Sequence, residues 1–145
     1  MPERQPAPQL SDYSHRFTDN IRFADVDAQG HVNNVIFATF IETGRVTISR
    51  DPEQGFQVPG AGFALRKLTI DYLAEMKWPG QVTIATRIRR IGKSSLTLAH
   101  GLFVGNTCTA TAESVMVLVD GKTRRPCPFP DDIAAKLRNA AEIKD

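Results

Sequence analysis

Polar and apolar positions alternate near the start of the chain. Phe17, Asp19, Ile21 and Phe23 interleave with Thr18, Asn20 and Arg22, which predicts a strand from about residue 16 to residue 24. A polar, glycine-containing corner follows at 25–31, and then the period changes. Val32, Ile36, Phe40 and Gly44 form a row at spacing four, with Phe37, Ile41 and Ile48 beside it and Val35 and Ala38 on a flank. This predicts a helix over 34–49 whose apolar surface is too wide for one face, entered through Asn33 or Asn34 as N-cap. Asp51-Pro52 and Gly55 end it. From residue 60 onward the period is two. Strands are predicted over about 67–72, 82–89, 95–104 and 108–119, with turn signals at Trp78-Pro79-Gly80, Gly92-Lys93, Gly105-Asn106 and Asp120-Gly121. A short terminal helix over 133–141 is led by Asp131-Asp132, acids that suit a helix N-terminus. A strand, a long helix and four strands joined by tight turns predict an α+β fold, with a hairpin-linked antiparallel sheet carrying the helix on one face.

The chain has 145 residues, enough for one domain with its own core. Residues 1–15 are proline-rich and polar and read as a flexible leader, leaving 16–145 as a single domain. A net charge of +2 is too mild to argue for nucleic acid, and no aromatic platform interleaves with the cations. No apolar run approaches the roughly 20 residues that span a bilayer, and the start of the chain lacks the apolar stretch of a secretory signal. A cytoplasmic setting is expected, without membrane or nucleic-acid partners. Cys108 and Cys127 match no metal-ligand spacing and read as two free thiols.

Several chemistries are excluded by their missing residues. Gly92-Lys93-Ser94 resembles the end of a phosphate-binding loop, but Arg87 stands where the earlier glycine is required. There is no Gly-x-Ser-x-Gly elbow, and His15, His31 and His100 make no zinc-protease pattern. The concentrated polar segment is Asp25 to Asn34, between a strand and the start of an enclosed helix. Such a helix start exposes unpaired N–H groups and about half a positive charge, which would polarise a substrate carbonyl. A carboxylate just before it, such as Asp27, is placed to attack that carbonyl or to activate water. On spacing alone, the favoured reading of Asp25 and Asp27 is as turn and capping residues, since Asp and Asn are common in turns.

The stretch Arg22-Phe23-Ala24-Asp25-Val26-Asp27-Ala28-Gln29-Gly30-His31-Val32-Asn33-Asn34 resembles the signature of the 4-hydroxybenzoyl-CoA thioesterase family of hotdog-fold acyl-CoA thioesterases. Asp71-Tyr72-Leu73 and Ile91-Gly92-Lys93-Ser94-Ser95 fit the same pattern, and the resemblance covers about 17–120. It implies a hotdog fold, with a long central helix packed on an antiparallel β-sheet. It implies hydrolysis of an acyl-CoA thioester without a metal or redox cofactor. The second aspartate of the pair, Asp27, takes the place of the catalytic carboxylate, as nucleophile or general base. The backbone N–H at about Asn34 takes that of the oxyanion donor. Asp25 is expected to order the corner, and His31 and Asn33 to orient the turn or touch substrate. Phe37 departs from the tyrosine often found at its place.

The resemblance also places coenzyme A contacts near Arg87, Arg89, Arg90, Lys93, Ser94 and Ser95, where cations suit phosphate. The alternative is a charged sheet edge. Lys122, Arg124 and Arg125 read as a solvated loop. Relatives pair as homodimers or homotetramers, with sites between chains, so residues 58–62 and the strand from Phe63 onward are candidates for a partner's wall. The competing function is a non-catalytic acyl-CoA-binding or regulatory protein on the same scaffold, which a missing catalytic carboxylate would favour.

Overall fold

The computed structural model describes residues 6–141. Its elements are β1 (His15–Ile21), α1 (Asn34–Ser49), β2 (Ala61–Tyr72), β3 (Gly80–Ile91), β4 (Ser95–Val104), β5 (Thr107–Asp120) and α2 (Asp131–Ala140). The predicted helix over 34–49 has the bounds of α1. The first strand is shorter than its alternation suggests. It stops at Ile21 because Asp25 draws the Arg22 N–H to its carboxylate at 2.8 Å, and Phe23–Asp25 then close a 3₁₀ turn.

All five strands form one antiparallel sheet in the order β1-β3-β4-β5-β2. The four later strands are therefore not linked throughout by hairpins. β3, β4 and β5 are, but β2 pairs with β5 at the far edge, so 73–79 crosses between non-neighbouring strands. Burial explains the arrangement. β3 and β4 contribute the fully buried Val82, Ile84, Leu96, Leu98 and Leu102, whereas β2 alternates with Arg66, Lys67, Thr69 and Asp71 and suits an edge.

α1 lies across the helix-side face of the sheet. The approach is closest at Gly44, where an added Cβ would stand 2.8 Å from both Ile84 Cγ2 and Thr86 Oγ1. Around its N-terminal half, Phe37, Phe40 and Ile41 pack with Val82, Ile84 and Leu102. Around its C-terminal half, Ile48 packs with Phe56, Phe129 and Leu137. The last contact accounts for part of the helix's wide apolar surface within the chain itself. Ile48 is fully buried, while Val35 is 71% exposed and Val46 43%.

The opposite face carries a smaller cluster of Tyr13, Ala85, Phe103 and Cys108. Within the segment expected as a leader, Leu10–Asp12 form a 3₁₀ turn and Tyr13 stacks edge-on against Phe103 at 6.0 Å. An aromatic ring inserted into a sheet-face cluster is reason enough for order to begin before Arg16. Residues 1–5 of that segment lie outside the described residues. Cys108 is a buried free thiol and Cys127 a half-buried one. Among the described residues, no helix is long and apolar enough to cross a membrane.

Candidate active site

The corner between β1 and α1 is built by its own backbone. Val26 and Val32 form an isolated bridge, and the Asp27 N–H donates to the His31 carbonyl at 2.8 Å. The loop between them closes through Gly30 at φ +82°, a conformation that glycine adopts without steric cost. Asp25 is the anchor. It is 1% exposed, and it accepts the Arg22 guanidinium at 2.9 Å as well as the Arg22 N–H. Its own carbonyl takes the Asn33 N–H at 2.9 Å. Thus Asp25 orders the corner, as the sequence suggests.

Asp27 sits differently. It is exposed, and its Oδ1 accepts the N–H groups of Gln29 at 2.8 Å and His31 at 3.2 Å. Both bonds fall on one oxygen, so the carboxylate is oriented by the turn while Oδ2 is left for a ligand. Asn33 is the N-cap of α1, its side chain accepting from Val35 N–H at 3.0 Å. The Ile36 N–H goes to the Asn33 carbonyl at 2.8 Å. Of the N–H groups at the start of the helix, those of Asn33, Val35 and Ile36 are therefore engaged in the corner. That of Asn34 takes part in none of these bonds.

Asp27 and Asn34 share one cavity of about 430 Å³. The link after β2 closes it from below. His31 bridges to Lys77, the Val32 N–H donates to the Met76 carbonyl at 2.8 Å, and Tyr72 donates its hydroxyl to the Asn34 carbonyl at 3.1 Å. Tyr72 also meets Phe37 edge-on at 5.1 Å. The wall is thus apolar at Val32, Phe37, Tyr72 and Leu73 and polar at Asp27, Gln29, His31 and Glu75. His31 Nε2 lies 3.1 Å from Glu75 Oε2. Such a site offers a free carboxylate oxygen, a helix start carrying partial positive charge and an apolar wall for a carbon chain or ring. Among the described residues, no group of three or more His, Cys, Asp or Glu side chains stands together as a metal site.

The structure brings Asp27, His31 and Asn34 together on this cavity, whereas Asn33 caps the helix outside its wall. The β3–β4 hairpin is elsewhere. Arg90 is in register with Thr97, Val115 and Lys67, while Tyr72 is in register with Ala110. That is five residues along the strands and three strands across, roughly 20 Å at about 3.3 Å per residue and 4.8 Å per strand. Arg89 pairs with Glu113 at 3.6 Å, and Lys93, Ser94 and Ser95 form the hairpin's end. One chain alone does not bring these residues beside Asp27. Sequence reasoning does not find Gln29 and Glu75 as wall residues. Nothing in local spacing marks Glu75, whose place depends on 73–79 running beneath the helix start.

The similarities to known proteins follow the same lines. Residues 21–137 match the family described as the Thioesterase-like superfamily. The Acyl-CoA thioester hydrolase YbgC of Escherichia coli O6:H1 is 26% identical over 127 residues, covering 85% of this chain and 95% of that protein. A thioesterase from Thermus thermophilus, solved as a complex with coenzyme A and Zn, is 30% identical with a TM-score of 0.72, covering 87% of this chain and 98% of that one. The PA5185 protein of Pseudomonas aeruginosa PAO1 superposes with a TM-score of 0.82 at 26% identity, over 94% of this chain and 97% of that one. A match spanning the corner, the central helix, all four later strands and most of α2 leaves one assignment: the chain belongs to the thioesterase-like superfamily.

Proposed function

We propose that the chain is an acyl-CoA thioesterase, converting acyl-S-CoA and water to a carboxylate and CoA. The observation that carries this reading is the presence of Asp27 and Asn34 on one cavity. In the proposed reaction the thioester carbonyl lies against the Asn34 N–H at the start of α1, where growing negative charge is stabilised. Oδ2 of Asp27 draws a proton from water or attacks the carbonyl carbon itself. The new C–O bond forms as the C–S bond breaks, and the thiolate leaves to be protonated as the CoA thiol. On the direct-attack route the acyl group is then carried by Asp27 as a mixed anhydride, which water cleaves to release the carboxylate and restore Asp27. Val32, Phe37, Tyr72 and Leu73 contact the acyl group. The likeness to YbgC, named as an acyl-CoA thioester hydrolase, and to a thioesterase solved with coenzyme A supports the substrate class.

The assembly we infer is a homodimer, with a tetramer as the next step, formed in the cytoplasm. Support comes from the outer edge of β2, which pairs with no further strand among the described residues, and from exposed Val46 and Leu65 beside it. Two-fold antiparallel pairing of β2 edges puts the end of one strand beside the start of the other. The Tyr72 corner of one copy would then face residues 58–62 of the second, of which Val58, Pro59, Ala61 and Gly62 line a separate cavity of about 620 Å³ together with Arg50. Arg89, Arg90, Lys93, Ser94 and Ser95 are proposed to hold CoA phosphates, a role that requires this second chain given their distance from Asp27.

The deciding experiment is hydrolysis of a panel of acyl-CoAs, aliphatic and aromatic, with released thiol as the readout. Turnover of at least one of them that is abolished in Asp27→Asn is expected. Tight acyl-CoA binding with no turnover across the panel would instead establish the non-catalytic binding protein.

A further inference from the structure

His31 and Glu75 come from two separate segments that line the cavity, 44 positions apart in the chain, and meet at 3.1 Å between Nε2 and Oε2. Their backbones are held together independently of that contact. His31 bridges to Lys77, and the Val32 N–H donates to the Met76 carbonyl at 2.8 Å, so His31 itself and the residues that follow Glu75 are pinned. The His31 N–H in turn donates to Asp27 Oδ1 at 3.2 Å, which couples the imidazole's backbone to the orientation of the catalytic carboxylate. All three side chains line the one cavity.

The energetics of the contact argue against a role in stability. The Glu75 side chain is 64% exposed and that of His31 29%, and an exposed pair of this kind contributes between nothing and about 1 kcal/mol. What it does fix is chemical identity. An ionised carboxylate only accepts, so the ring nitrogen beside it must carry the hydrogen; whenever the ring is neutral, the other nitrogen then carries a lone pair.

We propose that Glu75 is a positioning residue for this site. By accepting the Nε2–H of His31, it holds the ring in the tautomer whose Nδ1 is a hydrogen-bond acceptor, on the cavity wall shared with Asp27. The inference rests on the water-activating route of the thioesterase reading for its consequence and extends it. A water molecule that donates one hydrogen to Asp27 Oδ2 and the other to His31 Nδ1 keeps its lone pairs for the thioester carbon. With the opposite tautomer, Nδ1–H would donate to that water and compete for the lone pair that must attack. Asp27 remains the group that receives the proton.

Two measurements test this on the full chain. In ¹⁵N spectra of the resting protein at alkaline pH, the neutral His31 ring is expected as the Nε2–H tautomer, and Glu75→Ala should mix the two tautomers. An unchanged His31 ring signal in Glu75→Ala overturns the proposal, and this readout needs no activity. In kinetics, Glu75→Ala should lower kcat about tenfold with KM nearly unchanged, because an orienting partner acts on the reacting geometry rather than on binding. Glu75→Gln, whose amide oxygen still accepts the Nε2 hydrogen, should recover most of the rate. Adding Glu75→Ala to His31→Ala should cost nothing further, since the partner it orients is gone. Multiplying losses in the double variant would overturn the proposal. An inactive wild type with the expected spectra would sink the thioesterase reading and leave the pairing standing.

Discussion

His100 Nε2 lies 2.8 Å from the Ser114 hydroxyl, and neither side chain meets water. The contact is the middle of a polar row across three neighbouring strands beneath α1. Thr86 Oγ1 stands 3.1 Å from His100 Nδ1, and Arg45 of the helix donates to Ser114 Oγ at 3.3 Å. Every member has a partner, which is what makes such a row tolerable in an apolar core. Burial, followed by the nearby Arg45 charge, pushes the His100 pKa down to about 3 from its ordinary 6.5.

A histidine kept neutral by the fold ties stability to pH. Its folded pKa lies below its unfolded value, so its contribution is complete above about pH 6.5 and is lost as pH falls from there towards 3. By pH 5 the loss should reach about 2 kcal/mol, visible as a lower urea midpoint than at pH 7.5. His15, whose pKa is also lowered by burial, adds in the same direction. His100→Asn should therefore flatten, rather than abolish, the dependence between pH 6.5 and 4.5. An equally steep slope in that variant would show that the row does not set it.

The two acids of the corner should separate cleanly. Asp27→Asn leaves the turn an oxygen for the Gln29 and His31 N–H groups and should keep the urea midpoint, while hydrolysis falls about 10²–10⁴-fold. Asp25→Asn removes a buried charge that binds Arg22 twice over and should lower stability by about 1–3 kcal/mol. Reversal of these two outcomes would move the chemistry to Asp25.

Gly44→Val tests how the helix sits. The added Cβ meets Ile84 and Thr86 at 2.8 Å, both fully buried, so the helix must lift from the sheet or the strands must shift. Overpacking of this kind costs typically about 1–3 kcal/mol, and the β-branched residue adds little helix propensity to offset it. Calorimetry should show a lower Tm. Because His100 Nδ1 lies 3.5 Å from the same Cβ position, the pH dependence above should change as well.

What could be read from the residues alone follows from how local each determinant is. The bounds of α1 depend on Asn33 at one end and on Asp51-Pro52 at the other, and both are visible in the chain. The thioesterase signature lies within thirteen consecutive residues, so Asp27, His31 and Asn34 were accessible, and the structure places all three on one cavity. Strand order was not accessible. Trp78-Pro79-Gly80 marks a change of direction, but a turn signal does not say which strand lies on the other side, and β2 went to the far edge. The same ignorance hid Glu75, and hid that Ile48 is covered by Phe56, Phe129 and Leu137 from distant parts of the chain.

The crossing from β2 to β3 also sets a length. Tyr72 is in register, through Ala110 and Leu102, with Ile84, so Gly80 begins three strands over and four residues further along. On a flat sheet that separation is roughly 20 Å, from about 4.8 Å per strand and 3.3 Å per residue. The eight steps from Tyr72 to Gly80 reach at most about 29 Å when fully extended. Surface connections ordinarily absorb insertions and deletions without consequence. This one has little slack, and along the way it delivers the Met76 carbonyl to Val32 and Glu75 to His31. It is a ruler rather than a tether. Removing two residues would draw it nearly straight, and adding two would let Glu75 drift from the cavity while every strand kept its partner.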